Sequence, residues 1–234
     1  MRKIQKLAAV GAFATITAVV GACTNSQGPA TGNETSEATS EASPPAAQAP
    51  VTSGAQAPSG NGVTQIGDIF GPACDQVPKQ GPGSVQAMAG EPVATAASNN
   101  PVLTTLTKAV KAAKLTDTLN STPELTVFAP ADSAFQQLDR QSPGLVNQMT
   151  MAPDAASPDS RLVKTLKYHV IGQRYNAQEL VQARTVDTLE GAKVNIAGTP
   201  SAPTVNGAQV LCGNIPTRNA TVFIIGQVLT PPAI

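Results

Sequence analysis

The stretch that most restricts what this chain can fold into is residues 125–138, Leu-Thr-Val-Phe-Ala-Pro-Ala-Asp-Ser-Ala-Phe-Gln-Gln-Leu. Leu125, Val127 and Ala129 alternate with Thr126 and Phe128, the period-two pattern of a strand with at least one buried face. Pro130 has no N–H to donate and ends the ladder. Asp132 or Ser133 is placed to cap the helix that follows. Ser133 with Gln136 fits a capping box, in which each side chain satisfies an orphan backbone donor. Ala134, Phe135 and Leu138 then fall on one helical face. A strand turned through a proline corner into a short apolar helix is a nucleus on which other segments can assemble.

Those segments are helical before it and largely extended after it. Asn100-Pro101 predicts a helix start, with Asn as the cap and Pro at the first position, where its missing N–H costs nothing. Val102, Leu103, Leu106, Ala109, Val110 and Ala113 recur at helical spacing, and Lys108, Lys111 and Lys114 ride the other side as a solvated face. Short helices are predicted over 115–119, 144–150 and 160–166, the last capped by Asp159 or Ser160. Strands are predicted over 168–171, 185–189, 193–196, 204–205, 209–211 and 221–225. Gly191 and Asn206-Gly207 supply turns, the second a hairpin signal. Helices first, strands later and no regular βαβ alternation argue for an α+β domain.

Three ordered motifs carry a family resemblance. Val127-Phe128-Ala129-Pro130-x-Asp132-x-Ala134-Phe135 resembles the first signature box of the fasciclin (FAS1) domain. Tyr168-His169, and Asn219-Ala220-Thr221-Val222-Phe223 running into Val228-Leu229 and Pro231-Pro232, resemble its later marks. The resemblance covers roughly residues 88–234 and is similar in type to mycobacterial surface lipoproteins and secreted immunogenic proteins. It implies a single FAS1-like domain, a twisted β-sandwich or wedge flanked by short helices. It also implies a contact role near Tyr168 and His169, since the matching region of animal relatives is linked to cell adhesion.

Upstream, residues 1–22 read as an export signal. Arg2, Lys3 and Lys6 precede an apolar run over 7–20, the length of a signal core and too short to span a bilayer. Val20-Gly21-Ala22-Cys23 resembles the bacterial lipobox, which implies cleavage before Cys23, acylation of that cysteine and a membrane anchor. Residues 23–62 are rich in Ser, Thr, Pro, Ala, Gly and Gln, the composition of a disordered tether. Residues 63–98 read as a lead-in segment packed on a domain of residues 99–234.

Three cysteines are present. With Cys23 assigned to the anchor, Cys74 and Cys212 remain, and an oxidising exterior predicts a disulfide between them. It would close a loop of about 140 residues, worth roughly 5 kcal/mol in the chain-entropy model. Metal ligation or a redox pair fits less well, because neither a Cys-x-x-Cys spacing nor an adjacent His is present.

His169 is the single histidine, so any catalytic scheme passes through it. No Gly-x-Ser-x-Gly elbow occurs. One His makes no zinc site without the cysteines already committed, and a His without a placed partner has no activated role. Tyr168-His169 is therefore expected to pack inside the fold with its polar tips bonded, set beside the contact role the resemblance implies. No catalytic residue, metal or cofactor is assigned. The 15 basic and 15 acidic residues balance, and aromatic residues make up only 3% of the chain, so nothing points to nucleic acid. Asn120-Ser121-Thr122 and Asn219-Ala220-Thr221 match the N-glycosylation sequon and are read as coincidence, with Asn219 a turn residue before the last strand.

Two functions follow. One is a non-enzymatic, monomeric lipoprotein on the outer face of the cell membrane, presenting its domain to an extracellular or host-surface protein or glycan. The other is a carrier that holds a lipid or small molecule in an apolar pocket between sheet and helices. A deep apolar cavity favours the carrier and a filled core with an exposed patch favours the contact module.

Overall fold

Leu125–Pro130 forms strand β1, and both of its faces are buried. β1 runs parallel to the last strand, β7 (Ala220–Ile225), in register from Leu125 opposite Ala220 to Pro130 opposite Ile225. On its other side it pairs antiparallel with the short β2 (Val170–Ile171). Pro130 closes the strand, as a residue without a donor should. β3 (Thr185–Asp187), β4 (Lys193–Thr199), β5 (Ala202–Val205) and β6 (Ala208–Pro216) complete a seven-stranded sheet in the order β2-β1-β7-β6-β5-β4-β3. Asn206 and Gly207, at φ 47° and 82°, turn β5 into β6 in the left-handed conformations this dipeptide favours. The computed structural model describes residues 61–232. The expected leader, Cys23 and nearly all of the expected tether lie outside the described residues.

Alternation along the parallel strands β1 and β7 sorts the core into two halves. Leu125, Val127, Ala129, Ala220, Val222 and Ile224 face one cluster; Phe128, Phe223 and Ile225 face the other. The first half is covered by seven short helices. These are α1 (Val85–Gly90), α2 (Val93–Asn99), α3 (Thr104–Ala112), α4 (Thr116–Ser121), α5 (Asp132–Gln141), α6 (Leu145–Met151) and α7 (Arg161–Tyr168). The second half is closed by apolar residues of β3 to β6 together with α8 (Ala177–Ala183), whose Leu180 is buried in it. There the rings of Phe128 and Phe223 lie 6.0 Å apart at 52°, a tilted pairing that adds about 0.5–1.5 kcal/mol beyond the burial itself. The result is the α+β wedge with flanking helices that the sequence implies.

Three local expectations are corrected. Asn100-Pro101 does not start α3. Asn100 is buried, its carbonyl accepts from Leu103 N and its side chain accepts from Val102 N at 3.0 Å. The chain therefore makes a separate turn, and the helix begins at Thr104. The Ser133–Gln136 capping box is absent: α5 follows Ala131 with no side-chain cap of its own. Tyr168-His169 is not strand but the end of α7, which runs two residues past the expected Leu166 to Tyr168, with His169 as its C-cap. Only Val170 and Ile171 pair with β1. Ser160 does cap α7, accepting from Val163 N at 3.1 Å.

The lead-in segment makes two 3-10 turns, Ile66–Asp68 and Cys74–Gln76. Between them Phe70 pairs with Gly213, beside the register shifts of β6. A Cβ at Gly213 would strike the Phe70 ring, so this is a close approach that only glycine allows. Cys74 and Cys212 are joined by a disulfide with their Cα atoms 4.9 Å apart at a sequence separation of 138.

Candidate ligand-binding site

Tyr168 and His169 are 2% and 3% exposed. The Tyr168 hydroxyl donates to Lys193 O at 3.0 Å and accepts from Asn206 Nδ2 at 2.7 Å. His169 Nδ1 donates to Thr165 O at 2.7 Å, and Nε2 accepts from Leu229 N at 2.9 Å. That pairing selects the neutral Nδ1–H tautomer. Burial pushes the imidazole pKa down to about 4, against a smaller upward pull from the Thr165 carbonyl. Both ring nitrogens are committed, so His169 has no lone pair for a substrate proton. A direct contact role for the pair does not fit this geometry, because neither side chain reaches the surface.

The other motif side chains act as joints between elements. Asn219 Oδ1 accepts from Val93 N at 2.9 Å, while Nδ2 donates to Leu119 O at 2.8 Å and Thr122 O at 2.6 Å. Asn120 Oδ1 accepts from Ala94 N at 2.9 Å and Thr95 N at 3.3 Å. Between them, two asparagines from elsewhere satisfy the first N–H groups of α2, whose preceding residue, Pro92, offers no side-chain acceptor. Asn219 is thus more than a turn residue, and both sequon amides are occupied within the fold.

These joints frame a hollow between α2, α3, α4, the end of α7 and β1, with a cavity volume of about 130 Å³. Val93, Leu106, Val127 and Leu166 form its buried wall, and the half-buried Val110, Leu115 and Leu119 its sides. His169 also lines it, with both ring nitrogens held in the bonds above. Lys111 and the half-buried Lys167 also line it, no Asp or Glu does, and Leu189 stands at it 44% exposed. Sequence reasoning assigned Lys111 to a solvated face, passed over Lys167 and placed Leu189 at the end of a strand over 185–189, whereas β3 stops at Asp187 and leaves Leu189 in a turn. An apolar residue placed in a turn, just before Glu190-Gly191, was the one local signal. Among the described residues no group of three His, Cys, Asp or Glu is placed to hold a metal, and no helix is long and apolar enough to cross a membrane.

A sheet whose parallel pair is formed by its first and last strands, with short helices over one face and the strand–corner–helix box beside that pair, defines a fasciclin domain. The chain belongs to that family: the fasciclin domain model matches residues 101–231. It is 40% identical over 175 residues to the immunogenic protein MPB70 of Mycobacterium bovis, covering 71% of this chain and 84% of that protein. It is 40% identical over 194 residues to the cell surface glycolipoprotein MPB83 of the same organism, covering 79% and 80%. The fold also matches a FAS1 domain pair from the insect cell adhesion molecule fasciclin I, with a TM-score of 0.53 at 17% identity over 60% of this chain and 51% of that one.

Proposed function

We propose that this chain is a non-enzymatic cell-surface lipoprotein, held to the outer face of the membrane by acylated Cys23 and presenting its fasciclin domain to an extracellular protein or glycan. The observation that carries this reading is the 40% identity, over four-fifths of its length, to a relative named as a cell surface glycolipoprotein. The committed state of the lone histidine supports the absence of catalysis. Asp132 and Asn219, the polar side chains of the motif boxes, are likewise spent on the scaffold. Contact is then made by the outer surface of the domain rather than by the motifs themselves.

Detergent-phase partition of the full chain tests the anchor. The wild type enters the detergent phase and Cys23→Ala stays aqueous; a detergent-phase Cys23→Ala chain would remove the acyl anchor from the reading. Saturable binding of the labelled chain to cell-envelope or host-surface extracts, competed by unlabelled chain, tests the contact role. Binding that never saturates would remove it.

A further inference from the structure

We infer that the hollow between α2, α3, α4 and β1 is a binding site for small amphipathic anions, compounds with an apolar tail of about six carbons and a carboxylate head. The volume sets the tail. At about 130 Å³ the hollow is close to the engineered apolar cavities of about 150 Å³ that stay dry and admit benzene. A long acyl chain exceeds it several times over.

The wall gives water little hold. Its surface is dominated by Val, Leu and Ala side chains, and the polar side chains of Thr95, Ser98, Thr107 and His169 are already engaged within the fold. Thr107 Oγ1 donates to Leu103 O at 3.0 Å, Ser98 Oγ to Thr95 O at 2.7 Å, and both His169 nitrogens are bonded. A water held there needs two or more polar partners, and these side chains do not supply them. Leu189, exposed on the turn that follows β3, is the side chain a bound tail would cover.

The charges set the head. Lys111 and Lys167 are the charged residues of the lining, and neither makes an ion pair among the described residues. With no carboxylate alongside, an anionic head is attracted and a cationic one repelled.

Titration of the full chain carrying Cys23→Ala, purified without detergent, with straight-chain carboxylates tests the site. Affinity should rise about fourfold per methylene, from about 0.8 kcal/mol per buried CH₂, and level off between hexanoate and octanoate as the hollow fills. Hexanol should bind about fivefold more weakly than hexanoate, and the double change Lys111→Gln/Lys167→Gln should erase that difference, as befits charges that water still reaches. Methyl resonances of Leu106, Val110 and Leu119 should shift on binding, which locates the ligand without relying on a variant. Val110→Phe should fill the hollow and abolish binding while the thermal midpoint holds. Affinity that climbs without a plateau would reveal unspecific partitioning and overturn the site, as would no saturable binding of hexanoate. Equal binding of hexanol and hexanoate would overturn the anionic head and leave a socket for an uncharged group.

Discussion

Asp132 accepts the backbone N–H of Thr105 at 2.7 Å. Its second oxygen accepts the N–H and hydroxyl of Thr104 at 3.2 and 2.7 Å, and its own N–H donates to Val102 O at 2.9 Å. Asp132 is the first residue of α5, yet the helix it caps is α3. The box that turns β1 into α5 thereby also fixes the start of the helix forming one wall of the hollow. A carboxylate at a helix N-terminus meets unsatisfied N–H groups and the positive end of the dipole at once.

Loss of this cap should be measurable in urea. Asp132→Ala is expected to cost about 1–2 kcal/mol and Asp132→Asn about half as much, since the amide keeps one acceptor. Partial burial opposes the charge, but the hydrogen bonds from Thr105 and Thr104 outweigh it and hold the carboxyl below its ordinary range. The contribution is therefore present above the unfolded carboxyl pKa and lost as pH falls through the folded one. Wild type and Asp132→Ala should converge in stability as the solution is acidified.

What could be read from residues alone was what neighbours in sequence decide. β1 shows itself by alternation, β7 by its run of β-branched and aromatic residues, Ser160 by its place before Leu162 and Val163, and the β5–β6 hairpin by Asn206-Gly207. Three-dimensional partners decided the rest. Asn100 looks like a cap because its side chain does bond two residues on, but Asp132, 28 positions from Thr104 in sequence, caps the helix. Tyr168 reads as strand by its aromatic ring, and the acceptor that holds it in α7 instead is a carbonyl on β4. An apolar pocket between sheet and helices could be named as an alternative, but its place and lining could not be read. Val110 and Leu119 carry the same helical spacing whether or not their methyl groups meet a neighbour.

His169 predicts a specific acid sensitivity. Its native pKa of about 4 lies below the ordinary 6.5, so the unfolded chain takes up the proton first. Stability should therefore fall as pH drops from about 6.5 toward about 4, by about 3 kcal/mol in total from this group. His169→Asn should be less stable than wild type at pH 7, and the gap should narrow across that window. A gap of constant size down to pH 4 would mean that the imidazole is protonated without penalty in the fold.

The Cys74–Cys212 bridge should act mainly on the unfolded chain. Its closure spans 138 residues, for which chain entropy gives about 5 kcal/mol as an upper figure. The lead-in segment is held independently by the Phe70–Gly213 pair and by Ala73 N donating to Leu211 O at 3.0 Å. The paired change Cys74→Ala/Cys212→Ala is thus expected to leave the fold in place but lower its unfolding free energy by about 3–5 kcal/mol. Amide exchange should quicken first in residues 66–77. A loss below about 1 kcal/mol would mean that the bridge restrains little.

Asn219 separates donor from acceptor in a way that substitution can resolve. Its oxygen serves the N-terminus of α2, and its nitrogen serves two carbonyls at the end of α4. Asn219→Ala removes all three bonds and is expected to cost about 2–3 kcal/mol, because partly buried backbone groups lose their partners. Asn219→Asp keeps the acceptor for Val93 but sets a carboxylate against the oxygens of Leu119 and Thr122. At neutral pH it should be no better than alanine. Those two oxygens disfavour the ionised form, so its pKa should be raised in the folded state. Once protonated, the acid supplies an O–H that restores one of the lost donors. The stability of Asn219→Asp relative to Asn219→Ala should therefore rise as pH falls through that raised pKa, a direction opposite to the one expected for Asp132. Parallel urea titrations of the two variants at pH 7 and pH 4 read the sign directly.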